Sequence, residues 1–241
     1  MRPRLAAIGC AFAGAVGLLA LPAAAQASSL PKPAMSVTTA GSYAYGARVK
    51  VTVTLKAKQP GAAVALYATP AGGKRTLVAA GKVDAAGKLY PAYTVTRATT
   101  FTAVFGGDAA DAPSTASRTV TVAARVTDAL TGYTSTTKTG GVTYRVYHGT
   151  GTLTLKSTVT PDKHGECLEP ESEQYDAGTG WDADSKYGCD TLDSASHDTA
   201  PFSLKQAVGD RYRIRADYVR RGGDTANLSA DAPWLYFEVI K

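Results

Sequence analysis

Between Val49 and Lys56 the chain alternates without a break. Val49, Val51, Val53 and Leu55 are apolar, and Lys50, Thr52, Thr54 and Lys56 between them are polar. A period of two places one set on each face of an extended strand, so this segment is a strand with one wet face. Such a strand folds only where other β segments cover its apolar side.

Further runs follow at the spacing of a sandwich, at roughly 35–40, 47–57, 62–68, 75–83, 88–95, 99–105 and 117–124. The link from Pro70 to Lys74 and the turn from Asp84 to Gly87 supply glycine where a hairpin needs positive φ. Gly106 to Pro113 reads as the loop joining the last two strands. Few segments repeat apolar residues at helical spacing, so helix content should be near zero. Seven short strands in about 90 residues predict an immunoglobulin-like sandwich.

The second half stays β in pattern. Val142–His148 alternates and Leu153–Val159 follows it. In Arg211–Val219, Tyr212, Ile214, Ala216 and Tyr218 should point inward, with Arg211, Arg213, Arg215 and Asp217 outward. The last strand, Trp234–Ile240, is the most hydrophobic and needs cover from a neighbouring strand, with Trp234 expected in the core. A second sandwich or barrel is expected. Phe105-Gly-Gly-Asp108 and Arg221-Gly-Gly-Asp224 each precede a late strand, which suggests that both domains close on a Gly-Gly-Asp loop.

Charge marks a division. Residues 28–127 hold twelve Lys or Arg against three acids, a net of +9, and residues 128–241 hold twelve against seventeen, a net of −5. The expected organisation is a signal peptide over 1–27, a linker over 28–34, an immunoglobulin-like β-sandwich over 35–126 and a second β-sandwich-like domain over 127–241. The fold class is therefore all-β, two sandwich-like domains in tandem.

The signal peptide rests on the basic Met1–Arg4, the uncharged apolar run Leu5–Leu21 and the small residues ending in Ala25-Gln26-Ala27. It implies a secreted protein without a membrane span in the mature chain. Cleavage would remove Cys10 and leave Cys167 and Cys189, for which a disulfide is the default in an oxidising compartment. The alternative is zinc held with His164 and His197, at spacings wider than paired zinc ligands usually show.

No catalytic constellation emerges. There is no Gly-x-Ser-x-Gly elbow, His-Glu-x-x-His, phosphate loop or dinucleotide fingerprint, and His148, His164 and His197 sit in loop-like sequence. Glu169, Glu171 and Glu173 alternate along one strand face, but glycoside hydrolysis needs carboxylates across a deep cleft, which a small sandwich rarely offers. Asp182, Asp184, Asp190 and Asp193 lack EF-hand spacing, and a solvated acidic face is the plainer account. Neither a catalytic residue nor a resident metal or cofactor is assigned.

Two groups of residues suggest binding. Tyr175, Trp181 and Tyr187 cluster around the cysteine segment as a ligand platform, with core packing as the competing use. Lys50, Lys56, Lys58, Lys74 and Arg75 could meet an anionic cell-wall polymer, although the basic domain could equally face its acidic neighbour. Nucleic acid is not expected, given export and no interleaving of aromatic and basic residues.

Residues 45–125 resemble the bacterial immunoglobulin-like repeats of secreted actinobacterial proteins. The likeness lies in Tyr45-Gly46 with Val49, Val51 and Val53, in Leu66-Tyr67-Ala68, in Val83-Asp84-Ala85 with Gly87, in Thr100–Asp108 and in Ala112–Thr115. Residues 142–241, with Tyr144–Tyr147 and Gly165-Glu166-Cys167, look like the C-terminal module that can accompany such repeats. The resemblance implies extracellular display, spacing or binding, and carries over no ligand and no catalytic residue. The expected function is a secreted, non-enzymatic binding or structural protein of the cell envelope or extracellular space. Its expected partner is an anionic wall polymer, a polysaccharide or another extracellular protein. The alternatives are a carbohydrate-binding C-terminal domain and a protease inhibitor presenting segment 168–188.

Overall fold

A computed structural model describes residues 30–57, 60–205, 207–221 and 223–241. The segment read as a signal peptide and Lys58 lie outside these residues. Among those described there is no helix, and none is long and apolar enough to cross a membrane. The fold is all-β, with two sandwich-like units in tandem.

The first unit holds β1 (Met35–Thr38), β2 (Ser42–Ala44), β3 (Arg48–Lys50), β4 (Thr52–Leu55), β5 (Ala63–Pro70), β6 (Thr76–Lys82), β7 (Lys88–Leu89), β8 (Ala92–Thr94), β9 (Thr99–Phe105) and β10 (Ser114–Ala123). One layer is ordered β1-β4-β7 beside the pair β3-β8, and the other is β2-β10-β9-β5-β6. The single strand expected over 47–57 is divided at Val51 into β3, which pairs with β8, and β4, which pairs with β1 and β7. The alternation of Val49–Leu55 still holds in burial, with Val49, Val51 and Val53 fully buried and Leu55 nearly so. They pack with Leu66, Phe101, Val120 and Val122 from the facing layer. Short β2 has no counterpart among the sequence-derived strands. It runs parallel to β10, with Tyr43 opposite Val122. Gly87 closes the turn after β6 at φ 74°, where an added Cβ would lie 2.3 Å from the Leu55 carbonyl oxygen. Only glycine fits there.

The second unit holds β11 (Arg125–Thr131), β12 (Ser135–Thr139), β13 (Val142–His148), β14 (Thr152–Thr160), β15 (Cys167–Asp176), β16 (Gly180–Lys186), β17 (Asp190–Thr191), β18 (His197–Ser203), β19 (Arg211–Val219), β20 (Ala230–Asp231) and β21 (Leu235–Ile240). A three-stranded sheet, β11-β14-β18, faces a large sheet ordered β12-β13-β21-β19-β15-β16, with β17 on β15 and β20 on β19. Tyr212, Ile214, Ala216 and Tyr218 of β19 are buried in the core between the sheets, with Leu153, Leu155, Leu168 and Phe237. Cys167 and Cys189 form a disulfide, so they are not zinc ligands. Segment 168–188 is the paired β15–β16 hairpin and not an irregular loop.

The units meet without a spacer. β10 ends at Ala123, and Ala124 and Val126 already belong to the second core. A clamp from the β19–β20 connection secures the junction. Leu228 donates its backbone N–H to Val122 O and accepts from Ala124 N, while Ala98 N donates to Ala226 O. Asn227, buried, donates through Nδ2 to the carbonyls of Thr96 and Val122. The two Gly-Gly-Asp aspartates both cap turns. Asp108 accepts from the backbone of Ala110 and Asp111, and Asp224 from that of Ala226. Asp224 does more, because it also holds Lys163 and Tyr218 beneath the clamp.

Candidate functional site

The outer face of the large sheet is organised by β19. With Tyr212, Ile214 and Ala216 committed to the core, Arg211, Arg213 and Arg215 project away from it. The register with β15 sets Glu173 opposite Arg213 and Glu171 opposite Arg215. Arg213 Nε donates to Glu173 Oε2 at 2.7 Å, and Arg215 Nε to Glu171 Oε1 at 2.7 Å. Across the other edge of β19, Arg211 lies 3.6 Å from Glu238 of β21. Burial opposes the Arg215 charge, yet its hydrogen bond to Glu171 and the fields of Asp217, Glu171 and Asp231 raise its pKa above the ordinary value.

Aromatic rings fill the spaces between these pairs. Tyr175 and Trp181 face each other across the β15–β16 hairpin at 5.3 Å, Trp181 meets Tyr236 at 5.5 Å, and Tyr236 meets Tyr144 at 5.7 Å. All three contacts are edge-to-face, the favoured arrangement of the ring quadrupoles. The Arg213 guanidinium lies over both indoles, 4.8 Å from Trp181 and 4.5 Å from Trp234, and Arg215 lies 4.4 Å from Trp234. Arg211 lies over Tyr144 at 5.3 Å. Tyr175 is 41% exposed, Trp181, Trp234 and Tyr236 are half-buried, and Tyr144 is buried. Among the described residues no second sheet covers this face. The result is a surface of rings interleaved with guanidinium–carboxylate pairs, carried on a six-strand path.

The structure therefore joins Tyr175 to Trp181 and separates Tyr187 from them. Tyr187 packs edge-on against Phe202 at 4.8 Å, beside a groove of about 350 Å³ that also includes Tyr212 and Phe237. Trp234 is corrected from core to surface: Leu235 takes the core side of this strand, and the preceding residue is left on the arginine side. Lys50 and Lys56 are exposed at the ends of β3 and β4, whereas Lys74 and Arg75 sit at the β5–β6 turn of the other layer. Arg75 stacks on Tyr67 at 3.8 Å. Asp182 accepts from Thr179, Asp184 from Ser172 at 2.7 Å, and Asp193 from the backbone of Ala195 and His197. Among the described residues no group of three or more His, Cys, Asp or Glu is arranged to hold a metal ion.

Sequence reasoning missed Arg213, Arg215 and Tyr236 as parts of one surface. A signal was present, since Glu169, Glu171 and Glu173 form one three-residue ladder and Arg211, Arg213 and Arg215 form its complement on another wet face.

No family model matches the chain, and no curated protein matches it. Among solved structures it is similar to a tetra-tandem repeat from the extending region of a large adhesion protein, with a TM-score of 0.38 and 16% identity, covering 84% of this chain and 49% of that one. A marsupial T cell receptor follows, with a TM-score of 0.36, 11% identity and coverage of 84% and 71%. The D0-D1 domain of intimin gives a TM-score of 0.29, 12% identity and coverage of 85% and 97%. The chain thus spans about half the length of the adhesion-repeat structure.

Proposed function

We propose that the chain is a secreted, non-enzymatic binding protein that recognises an extracellular polysaccharide across the outer face of its large sheet. The observation that carries this reading is the row Tyr175–Trp181–Tyr236, backed by the buried Tyr144 and held on one sheet among paired Arg and Glu side chains. Ring faces and edges accept the apolar C–H surface of a pyranose. Carboxylates and guanidiniums at the rim accept from and donate to its hydroxyls. A row longer than one ring suits a chain of sugars better than a single one. The charged groups on this face neutralise one another, which suits positioning a ligand more than attacking it.

The test is retention of the chain on a panel of insoluble polysaccharides and cell-wall fractions. Trp181→Ala and Tyr175→Ala are each expected to weaken retention about tenfold or more, equivalent to about 1.4 kcal/mol. Equal retention of wild type and both variants, or no retention by any glycan tested, overturns the reading.

A further inference from the structure

Two edge strands of this molecule match each other. β6 is the outermost strand of its layer and pairs only with β5, and β16 is the outermost strand of the large sheet and pairs only with β15. Each is seven residues long. An unpaired edge offers a row of free N–H and C=O groups to another strand. The β6 edge carries Lys82 and is led in by Lys74 and Arg75, with no acid between them, and Leu77 on it is 57% exposed. Around β16 stand Asp176, Asp182, Asp184 and Asp190 against the single cation Lys186.

The strands also carry the same irregularity. In β6 the register slips by one at Val78, which lies between the pairs Tyr67–Leu77 and Leu66–Ala79. In β16 it slips at Asp184, between the pairs Ser172–Ser185 and Glu173–Ala183. Laid antiparallel in full register, Thr76 to Lys82 runs against Lys186 to Gly180, and Val78 then falls opposite Asp184. The two bulges coincide, so the extra local twist that each imposes is shared across the junction. This register also carries Lys82 toward Asp182 and Asp176, while Arg75 and Lys74 fall opposite Tyr187 and Gly188, between Lys186 and Asp190. A parallel alignment would set Lys82 against Lys186 and is disfavoured by like charge.

We propose that β6 of one copy adds antiparallel to β16 of a second copy. The contact is head-to-tail between two different surfaces of the chain, so it joins successive copies into rings or open chains. The basic first unit and acidic second unit supply the attraction. A single edge pair buries little surface, which places the contact among weak, transient interfaces. This inference uses the backbone edge of β16 and the polysaccharide reading its ring-bearing face; Trp181 lies on both, so the charge reversals at Asp182 and Asp184, with Trp181 left intact, test the edge contact.

The experiment is sedimentation velocity of the two-domain chain up to about 1 mM, a range suited to weak interfaces, at low salt and again at about 0.5 M salt, where the Debye length is a few Å. The weight-average mass is expected to climb with concentration at low salt and to return to monomer at high salt. The chain with Lys74→Glu and Lys82→Glu, and separately the chain with Asp182→Lys and Asp184→Lys, should each stay monomeric. An equimolar mixture of the two should associate again, because each altered edge then meets its complement. Lys82→Glu alone, on an exposed side chain, carries the same test should a double variant lose its fold. A wild type that stays monomeric at low salt, association that the charge reversals leave unchanged, or a folded mixture that fails to recover it overturns the proposal.

Discussion

The Lys163 ammonium lies 2.6 Å from the Asp224 carboxylate, and only 4% and 8% of their side chains are exposed. Lys163 comes from the connection after β14 and Asp224 from the clamp at the junction. The lysine also donates to Asn227 Oδ1 at 3.0 Å, and Tyr218 Oη donates to Asp224 Oδ2 at 2.7 Å. Burial opposes the Asp224 charge, but the hydrogen bonds from Lys163, Tyr218 and Ala226 hold its pKa below the usual carboxylate range. The pair is the polar centre of the junction, and removing half of it strands a buried charge. Lys163→Met is expected to lower unfolding stability by about 3 kcal/mol, and Lys163→Met with Asp224→Leu to recover part of that loss. Chemical denaturation of the three proteins checks this, and a single variant as stable as wild type would contradict it.

Asn227 holds the first unit to the second through two carbonyls, Thr96 O and Val122 O. Asn227→Ala should cost about 2 kcal/mol by leaving the Thr96 carbonyl without this donor and by removing one acceptor from the buried lysine. It should also let the two units reorient. Small-angle scattering of the variant is expected to show a broader distance distribution than that of wild type, and superimposable curves would show that the backbone bonds of the clamp suffice.

Asp128 sits on the core-facing side of β11 between Val126 and Leu130, and its Oδ2 accepts from the backbone N–H of Ala216 at 2.7 Å. Burial pushes its carboxyl up to about 6. Burial also raises Asp217 to about 6, aided by Asp231 and opposed by Arg215. Each binds its proton more tightly folded than unfolded. This contribution to stability is therefore full below the ordinary value of 3.8 and is lost as pH rises through about 6. Asp128→Asn stays neutral and keeps an acceptor for Ala216. It should be more stable than wild type at pH 7 by on the order of 2 kcal/mol, with the difference closing toward pH 4. Denaturant midpoints measured across that range decide it, and a difference that does not vary with pH would refute the assignment.

The Cys167–Cys189 bond spans 22 residues and ties the start of β15 to the segment leading into β17. Replacing both cysteines with serine should lower stability by about 3 kcal/mol through the freed unfolded chain. The β15–β16 hairpin should remain, since β15 is also paired along its length with β19. Thermal unfolding measures the first effect and hydrogen exchange of the Glu171–Tyr175 amides the second. Exchange as fast as in the unfolded chain would show that the hairpin depends on the disulfide.

Much of this protein is written locally. The period of two that marks Val49–Leu55 and Arg211–Val219 fixes which side chains are buried, because successive residues of a strand must point to opposite faces. The Asp84–Gly87 turn and the outward arginines of β19 follow from neighbours only a few residues away, and with Cys10 in the segment read as a signal peptide, Cys167 and Cys189 leave one pairing. What joins distant segments was decided by tertiary structure. Glu173 meets Arg213 at a sequence separation of 40, and Asn227 reaches Thr96 at one of 131. Trp234 stands among arginines and not in the core, because the register of β21 gave the inward place to Leu235. Alternation says which face a residue occupies, but not which strand lies beside it. That choice depends on register and on which pairings best bury the whole chain, and neither is a property of any single segment.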